Sequence, residues 1–186
     1  NYNILTDTTI KATYVEGTNN YVGKKFAIIG DSISTYQDYI PEGYACFYPY
    51  PTADVNDVNQ TWWMQVVNSL GAGLFINNSY SGSCVGTTGT SSSQHDARLK
   101  ELVINGQVPD VIIIYMGSND CASKYVSDSA FDNGYRVMLD KIKVLCPDAE
   151  IILCNLPESK LYTEENRVIY NDIIAKYAKE YDLKLI

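Results

Sequence analysis

Short apolar runs rich in β-branched residues recur along the chain, and the segments between them carry apolar residues at helical spacing. The runs fall at 26–29 (FAII), 74–76 (LFI), 111–115 (VIIIY), 151–154 (IILC) and 183–186 (LKLI). Continuous apolar runs of this kind, rather than strict alternation, belong to parallel strands covered on both faces. Between them, Trp62, Trp63, Val66, Val67 and Leu70 share one helical face, and Gly71 supplies a C-terminal stop. A shorter helical pattern spans 97–103, with Ser92, Ser93 and Asp96 as candidate caps. Phe131, Tyr135, Met138, Leu139, Ile142 and Leu145 line a third helix, which Pro147 ends. Ile169, Ile173, Ile174, Tyr177 and Tyr181 line a fourth.

The order β-α-β-α-β-α-β-α-β predicts an α/β fold: a three-layer α/β/α sandwich around a doubly wound, five-stranded parallel sheet with right-handed crossovers. Residues 1–24 are rich in Asn, Thr and Tyr and show little periodicity. They read as a leader packed on the domain, or as the tail of a linker from an upstream domain. Residues 25–186 form the domain itself, without internal repeat or low-complexity tract.

That architecture places a ligand site in advance. In open doubly wound sheets, ligands sit outside the carboxyl ends of the strands, where the strand order reverses. The residues just after each strand should therefore carry the chemistry. After the first strand comes Gly30-Asp31-Ser32-Ile33-Ser34, where Gly allows a sharp turn and Ser32 points a hydroxyl into the crevice. After the second comes 77–83, NNSYSGS, where Gly82 lets a backbone N–H approach a ligand with no Cβ in the way. After the third comes Met116-Gly117-Ser118-Asn119-Asp120, and the Asn119 amide is a neutral donor suited to a developing oxyanion. A hydroxyl, a backbone donor and an amide converging on one crevice are most of what acyl transfer needs.

G-D-S-I at 30–33, S-G at 81–82 and G-S-N-D at 117–120 resemble the first three blocks of the SGNH/GDSL hydrolase family, in the family's order. The resemblance runs from about Lys24 to the end of the chain. It implies a flavodoxin-like strand order and ester hydrolysis through a serine acyl-enzyme, without metal or cofactor. Ser32 would be the nucleophile, and its own N–H, the Gly82 N–H and the Asn119 amide would form the oxyanion hole. The family's fourth block, D-x-x-H, supplies the base and its orienting Asp beyond the fifth strand, and residues 1–186 contain no such block. The expectation is a C-terminally truncated domain whose last helix and catalytic Asp and His are missing, weakly active or inactive as it stands.

Composition narrows the partners. The 186 residues carry a net charge of −8, and an acidic surface argues against nucleic acid or anionic membrane. No apolar stretch approaches the roughly 18 residues of a membrane span. Five cysteines, an odd number with no C-x-x-C pair, do not read as a disulfide framework or a zinc knuckle. The 16 tyrosines, with frequent Asn and Thr, give a flavour common in extracellular proteins that handle polysaccharide. A secreted or cell-surface protein acting on a small-molecule or polysaccharide ester, joined to other domains, fits that picture.

Several residues have a plain reading beside the chemical one. His95, the sole histidine, either stands in as the base or is an exposed polar residue in the first turn of a helix; the second is expected. Asp31 and Asp120 sit beside the site, where Asp commonly organises loops by accepting backbone N–H bonds. Arg98 anchors one of those acids or is a solvated helix charge. Cys84 and Cys121 each follow a motif closely and read as buried thiols in loop packing. The long connection 36–63 is rich in aromatics, and Tyr36 and Tyr48, with Asp31, are candidate substrate contacts. The rival to an esterase is a non-catalytic module: a flavodoxin-like FMN carrier, or a carbohydrate-binding relative without turnover.

Overall fold

The computed structural model describes residues 19–123 and 126–186. The leader expected over 1–24 therefore lies largely outside the described residues. Five strands, β1 (Lys25–Gly30), β2 (Gly73–Asn77), β3 (Val111–Tyr115), β4 (Glu150–Leu153) and β5 (Lys184–Leu185), form one sheet in the order β2-β1-β3-β4-β5. All neighbouring pairs are parallel. Helices α1 (Trp62–Ser69), α2 (Asp96–Lys100), α3 (Ser118–Ala122), α4 (Asp128–Leu145) and α5 (Glu164–Glu180) connect them.

The two faces of β1 show why its run is continuously apolar. Ala27 and Ile29 point into a core with Ile112, Ile114, Leu153, Leu99, Phe131, Tyr135, Met138, Ile142 and Tyr177. Phe26 and Ile28 point the other way, onto Trp63, Val67, Val111 and Ile113. Each large apolar side chain so buried contributes roughly 1.5–3 kcal/mol. The covering is unequal, with α2, α4 and α5 serving the first face and α1 the second.

Each expected helix is present, and the caps explain its limits. Thr61 accepts the Met64 N–H at the start of α1, and Gly71 ends that segment with a φ of +62°. Ser127 starts α4 and Thr163 starts α5, each accepting an N–H from the first turn. The start of α2 differs from the expectation: its cap is His95, whose Nδ1 accepts the Ala97 N–H at 3.3 Å. The five-residue α3 is not foreseen by periodicity, because SNDCA is too short and too polar to show a face.

The strand order reverses at β1, whose chain passes outward to β2 and then returns to β3 on the other side. The carboxyl ends of β1, β2 and β3 consequently share one crevice.

Candidate functional site

The turn that leaves β1 is built to hold one serine still. Ser32–Ser34 form a single 3₁₀ turn, capped by Asp31, whose carboxylate accepts the Ile33 N–H at 3.3 Å. Thr35 donates to the Ser32 carbonyl through both its N–H and its Oγ1, the latter at 2.7 Å. Behind the turn, Ser34 is fully buried and is gripped by Trp62 Nε1 at Oγ and by Trp63 Nε1 and Asn77 Nδ2 at the carbonyl. Glycine at position 30 answers to this crowding rather than to backbone handedness: a Cβ there would lie 2.5 Å from Ser34 Cβ. Ser32 itself remains partly exposed, and its hydroxyl has no partner among the described residues.

The loop after β2 runs on beside β1, with the Asn78 N–H on the Ile28 carbonyl at 2.7 Å and the Tyr80 N–H on the Gly30 carbonyl at 3.1 Å. It then turns at Gly82 with a φ of +79°, a left-handed conformation that favours glycine. The end of β3 meets the loop here. Asn119 Nδ2 donates to the Ser83 carbonyl at 2.9 Å, and the Asp120 carboxylate accepts the Val85 and Gly86 N–H groups at 2.7–3.0 Å. Three donors stay unspent among the described residues: the Ser32 N–H, the Gly82 N–H and the second Asn119 amide N–H. The three blocks thus come together at one end of the sheet.

Burial sets the electrostatics of the floor. Asp31 is 1% exposed and its Oδ2 has no partner. Desolvation chiefly raises its pKa to about 6, against the lowering effect of the Ile33 N–H. Asp120, fully buried, is also raised by desolvation, with its backbone donors opposing. Burial, with Asp120 and Asp31 nearby, pushes the Cys84 thiol up to about 12, which keeps it a neutral packing group. Both acids hold backbone N–H groups, which is the loop-organising role of Asp in turns.

The remaining candidates spread out. His95 faces a hollow shared with Thr88, Gln94, Lys100 and Lys141, a lining that does not include Ser32. The Tyr36 hydroxyl is spent on the Asn56 carbonyl at 2.9 Å. Tyr48 packs edge-on against Phe47 at 4.8 Å between ring centres and gives its carbonyl to the Gln37 N–H. The exposed pair in that loop is Phe47 and Tyr50, stacked within 13° of parallel at 6.0 Å. A hollow of about 650 Å³ opens along the outer edge of β2, lined by Tyr39, Pro41, Leu74, Ile76, Val103 and Asn105 among others, and Ser32 is not part of it. Arg98, expected either on an acid or in solvent, is 1% exposed and contacts loop carbonyls instead. Among the described residues, no three His, Cys, Asp or Glu side chains cluster as a metal site would require.

The model of the GDSL-like lipase/acylhydrolase family matches residues 24–186. A GDSL-like lipase from Bacteroides uniformis superposes with a TM-score of 0.65 at 26% identity, over 88% of this chain and 82% of that one. One from Bacteroides ovatus gives 0.68 at 23% identity, over 88% and 84%. A family two carbohydrate esterase from Clostridium thermocellum, solved with cellohexaose, gives 0.59 at 18% identity, over 89% of this chain and 53% of that one. No curated protein matches the chain.

Proposed function

This chain belongs to the GDSL-like lipase/acylhydrolase family, and from that membership we propose that it cleaves acyl esters with Ser32 as nucleophile, acetyl groups on carbohydrate being the favoured substrate. Ser32 Oγ attacks the ester carbonyl, and the negative charge that develops on its oxygen is received by the Ser32 N–H, the Gly82 N–H and the free Asn119 N–H. Collapse expels the alcohol and leaves an acyl-serine, which water then hydrolyses. The observation that carries this reading is the strut from Asn119 Nδ2 to the Ser83 carbonyl, which joins two of the donors beside the serine turn.

Attack needs a base. His95 is committed to the start of α2 and lines a hollow that lacks Ser32, so in this proposal the base is a histidine supplied from outside residues 19–186. Ile186 pairs with Leu153 and accepts the Asn155 N–H, at the same end of the sheet as Gly30. It lies three strand spacings from β1, roughly 14 Å. The carbohydrate preference is supported by the sugar-bound esterase of the same fold and by the exposed aromatics Phe47 and Tyr50, on the loop whose Phe47 N–H bonds Thr35.

The test is Ser32→Ala in the full-length protein, assayed on an activated acetyl ester and on an acetylated polysaccharide. A loss of about 1,000-fold or more is expected, with only the background from donors and binding remaining. An unchanged rate would end the nucleophile assignment. Sugar affinity with no turnover by the parent protein would instead favour a binding module.

A further inference from the structure

The most completely bonded side chain beneath the crevice is Arg98, and nothing in an esterase mechanism obviously calls for it. It stands on the short α2, yet its guanidinium is buried. Nε donates to the Asn78 carbonyl at 3.2 Å and to Asn78 Oδ1 at 3.1 Å. One terminal nitrogen reaches Ser83 Oγ and the Ser91 carbonyl, the latter at 2.8 Å. The other reaches the Gly30 carbonyl at 2.9 Å and the Asn78 carbonyl at 2.7 Å.

No carboxylate touches it. Arg98 takes part in none of the ion pairs among the described residues, and Asp31 and Glu101 act on it only through space. A buried cation without a contacting counter-ion is costly, and burial lowers its pKa to about 10 without discharging it at neutral pH. The placement needs a reason, and the acceptors supply it. Gly30 is two residues before Ser32, Ser83 is one residue after Gly82, and Asn78 and Ser91 bracket the loop that carries Gly82.

We propose that Arg98 is a positioning residue for catalysis. One rigid, planar group spans the end of β1 and the loop after β2, so it fixes where the Gly82 N–H stands relative to Ser32. Its charge, unmatched by a contacting acid, adds a fixed positive potential behind the loop that receives the oxyanion. Lysine cannot replace it: three donors on one point do not reach carbonyls and a hydroxyl from four residues in a fork geometry. The inference rests on the assignment of Ser32 and Gly82 above.

Arg98→Lys and Arg98→Gln in the full-length protein, with Ser32→Ala in parallel, test it. Expected for the folded variants is a fall in kcat of about 100-fold with KM moving less than about threefold, because the ground-state ester does not need the aligned donors. Ser83→Ala removes one acceptor without leaving the charge unsolvated, and should lower kcat about tenfold in wild type but little further in Arg98→Lys. A folded Arg98 variant with kcat within threefold of wild type overturns the proposal. If neither Arg98 variant folds, an unchanged kcat in Ser83→Ala overturns it. Should Ser32→Ala keep its rate, the serine reading falls and takes this inference with it; loss of rate there with an intact Arg98→Lys sinks the inference alone.

Discussion

Two long loops leave the sheet at the crevice, one after β1 and one after β2, and they are held in opposite ways. The loop over 77–95 is tied from below by buried polar side chains. Asn77, Asn78, Ser79, Ser83, Ser92, Ser93 and Gln94 are each at most 9% exposed. Gln94 Nε2 donates to the Val85 and Thr87 carbonyls, Ser92 Oγ donates to the Cys84 and Thr87 carbonyls, and Asp120 receives two N–H groups from Val85 and Gly86. Helix α4 presses on it through Gly134, where a Cβ would meet the Val85 carbonyl. The loop over 36–60 shares the polar, Asn- and Tyr-rich composition but lies mostly at the surface. It is held by a few backbone bonds, the Asp57–Gln60 capping box and ring contacts. An unpaired buried polar group costs about 1–3 kcal/mol, so the many bonds of this interior loop narrow its conformations, although Asn77 Oδ1, Ser79 Oγ and Ser93 Oγ stay unpartnered. The first loop suits chemistry that needs fixed donors, and the second suits contact with a substrate that varies.

The comparison breaks most visibly at the strut between β3 and the first loop. Asn119→Ala removes both the proposed oxyanion donor and the bond to the Ser83 carbonyl. We expect kcat on a small activated ester to fall by about 100-fold or more in the full-length protein. If Asn119→Ala kept its rate, the donors of the first loop would not be acting on the reacting oxygen.

How much of this was legible beforehand divides along the same line. The inner strands β1 and β3 were the most readable because both of their faces are covered, which forces continuous apolar runs such as VIII at 111–114. The three blocks were readable because the fold puts the ends of β1, β2 and β3 together whatever the loops do. The support was not. Arg98 reads as an anchor for an acid or as a helix charge because most of its acceptors are backbone carbonyls, as far as 68 positions away, and a carbonyl leaves no mark in a sequence. The need for Gly30 came from Ser34 folding back beneath it, which no turn rule anticipates. His95, expected as a polar residue in the first turn of a helix, is that helix's cap, since an imidazole nitrogen can accept an N–H as a carboxylate does. Tyr36 reads as a candidate substrate contact, and the bond of its hydroxyl to the Asn56 carbonyl is not visible in the sequence.

A smaller effect separates the floor of the site from its rim by pH. Asp31 rises from 3.8 to about 6 because the fold desolvates it, so the folded protein holds this proton more tightly than the unfolded chain does. Its contribution to stability is therefore complete below about pH 4 and is lost as pH rises through about 6. Asp31→Asn keeps an oxygen for the Ile33 N–H and removes the titration. Relative to wild type, the variant should gain on the order of 2 kcal/mol between pH 4 and pH 8, read from urea midpoints at the two values. The surface acids whose pKa values are lowered, Asp96, Asp110 and Asp132, are common to both proteins and cancel in the difference. An equal stability difference at both pH values would mean that the Asp31 carboxyl is not held in a dry floor.

The smallest effect is the one that tests the second loop. Phe47 and Tyr50 are 43% and 53% exposed, and the Phe47 N–H rests on Thr35 Oγ1, which itself bonds the Ser32 carbonyl. Ala45, two residues earlier, accepts the Ser81 N–H, so this stretch threads between the serine turn and the Gly82 turn. The stacked pair is carried on the loop that this stretch ties to the serine turn, with both rings exposed. Phe47→Ala and Tyr50→Ala should each raise KM for an acetylated oligosaccharide about three- to tenfold, the worth of roughly one ring contact. Their kcat, and both constants on a small activated ester, should stay within twofold, because neither ring supports a donor of the first loop. A fall in kcat on the small ester would show that the two loops are mechanically one, and the division between fixed chemistry and adaptable contact would fail at the Thr35 bridge.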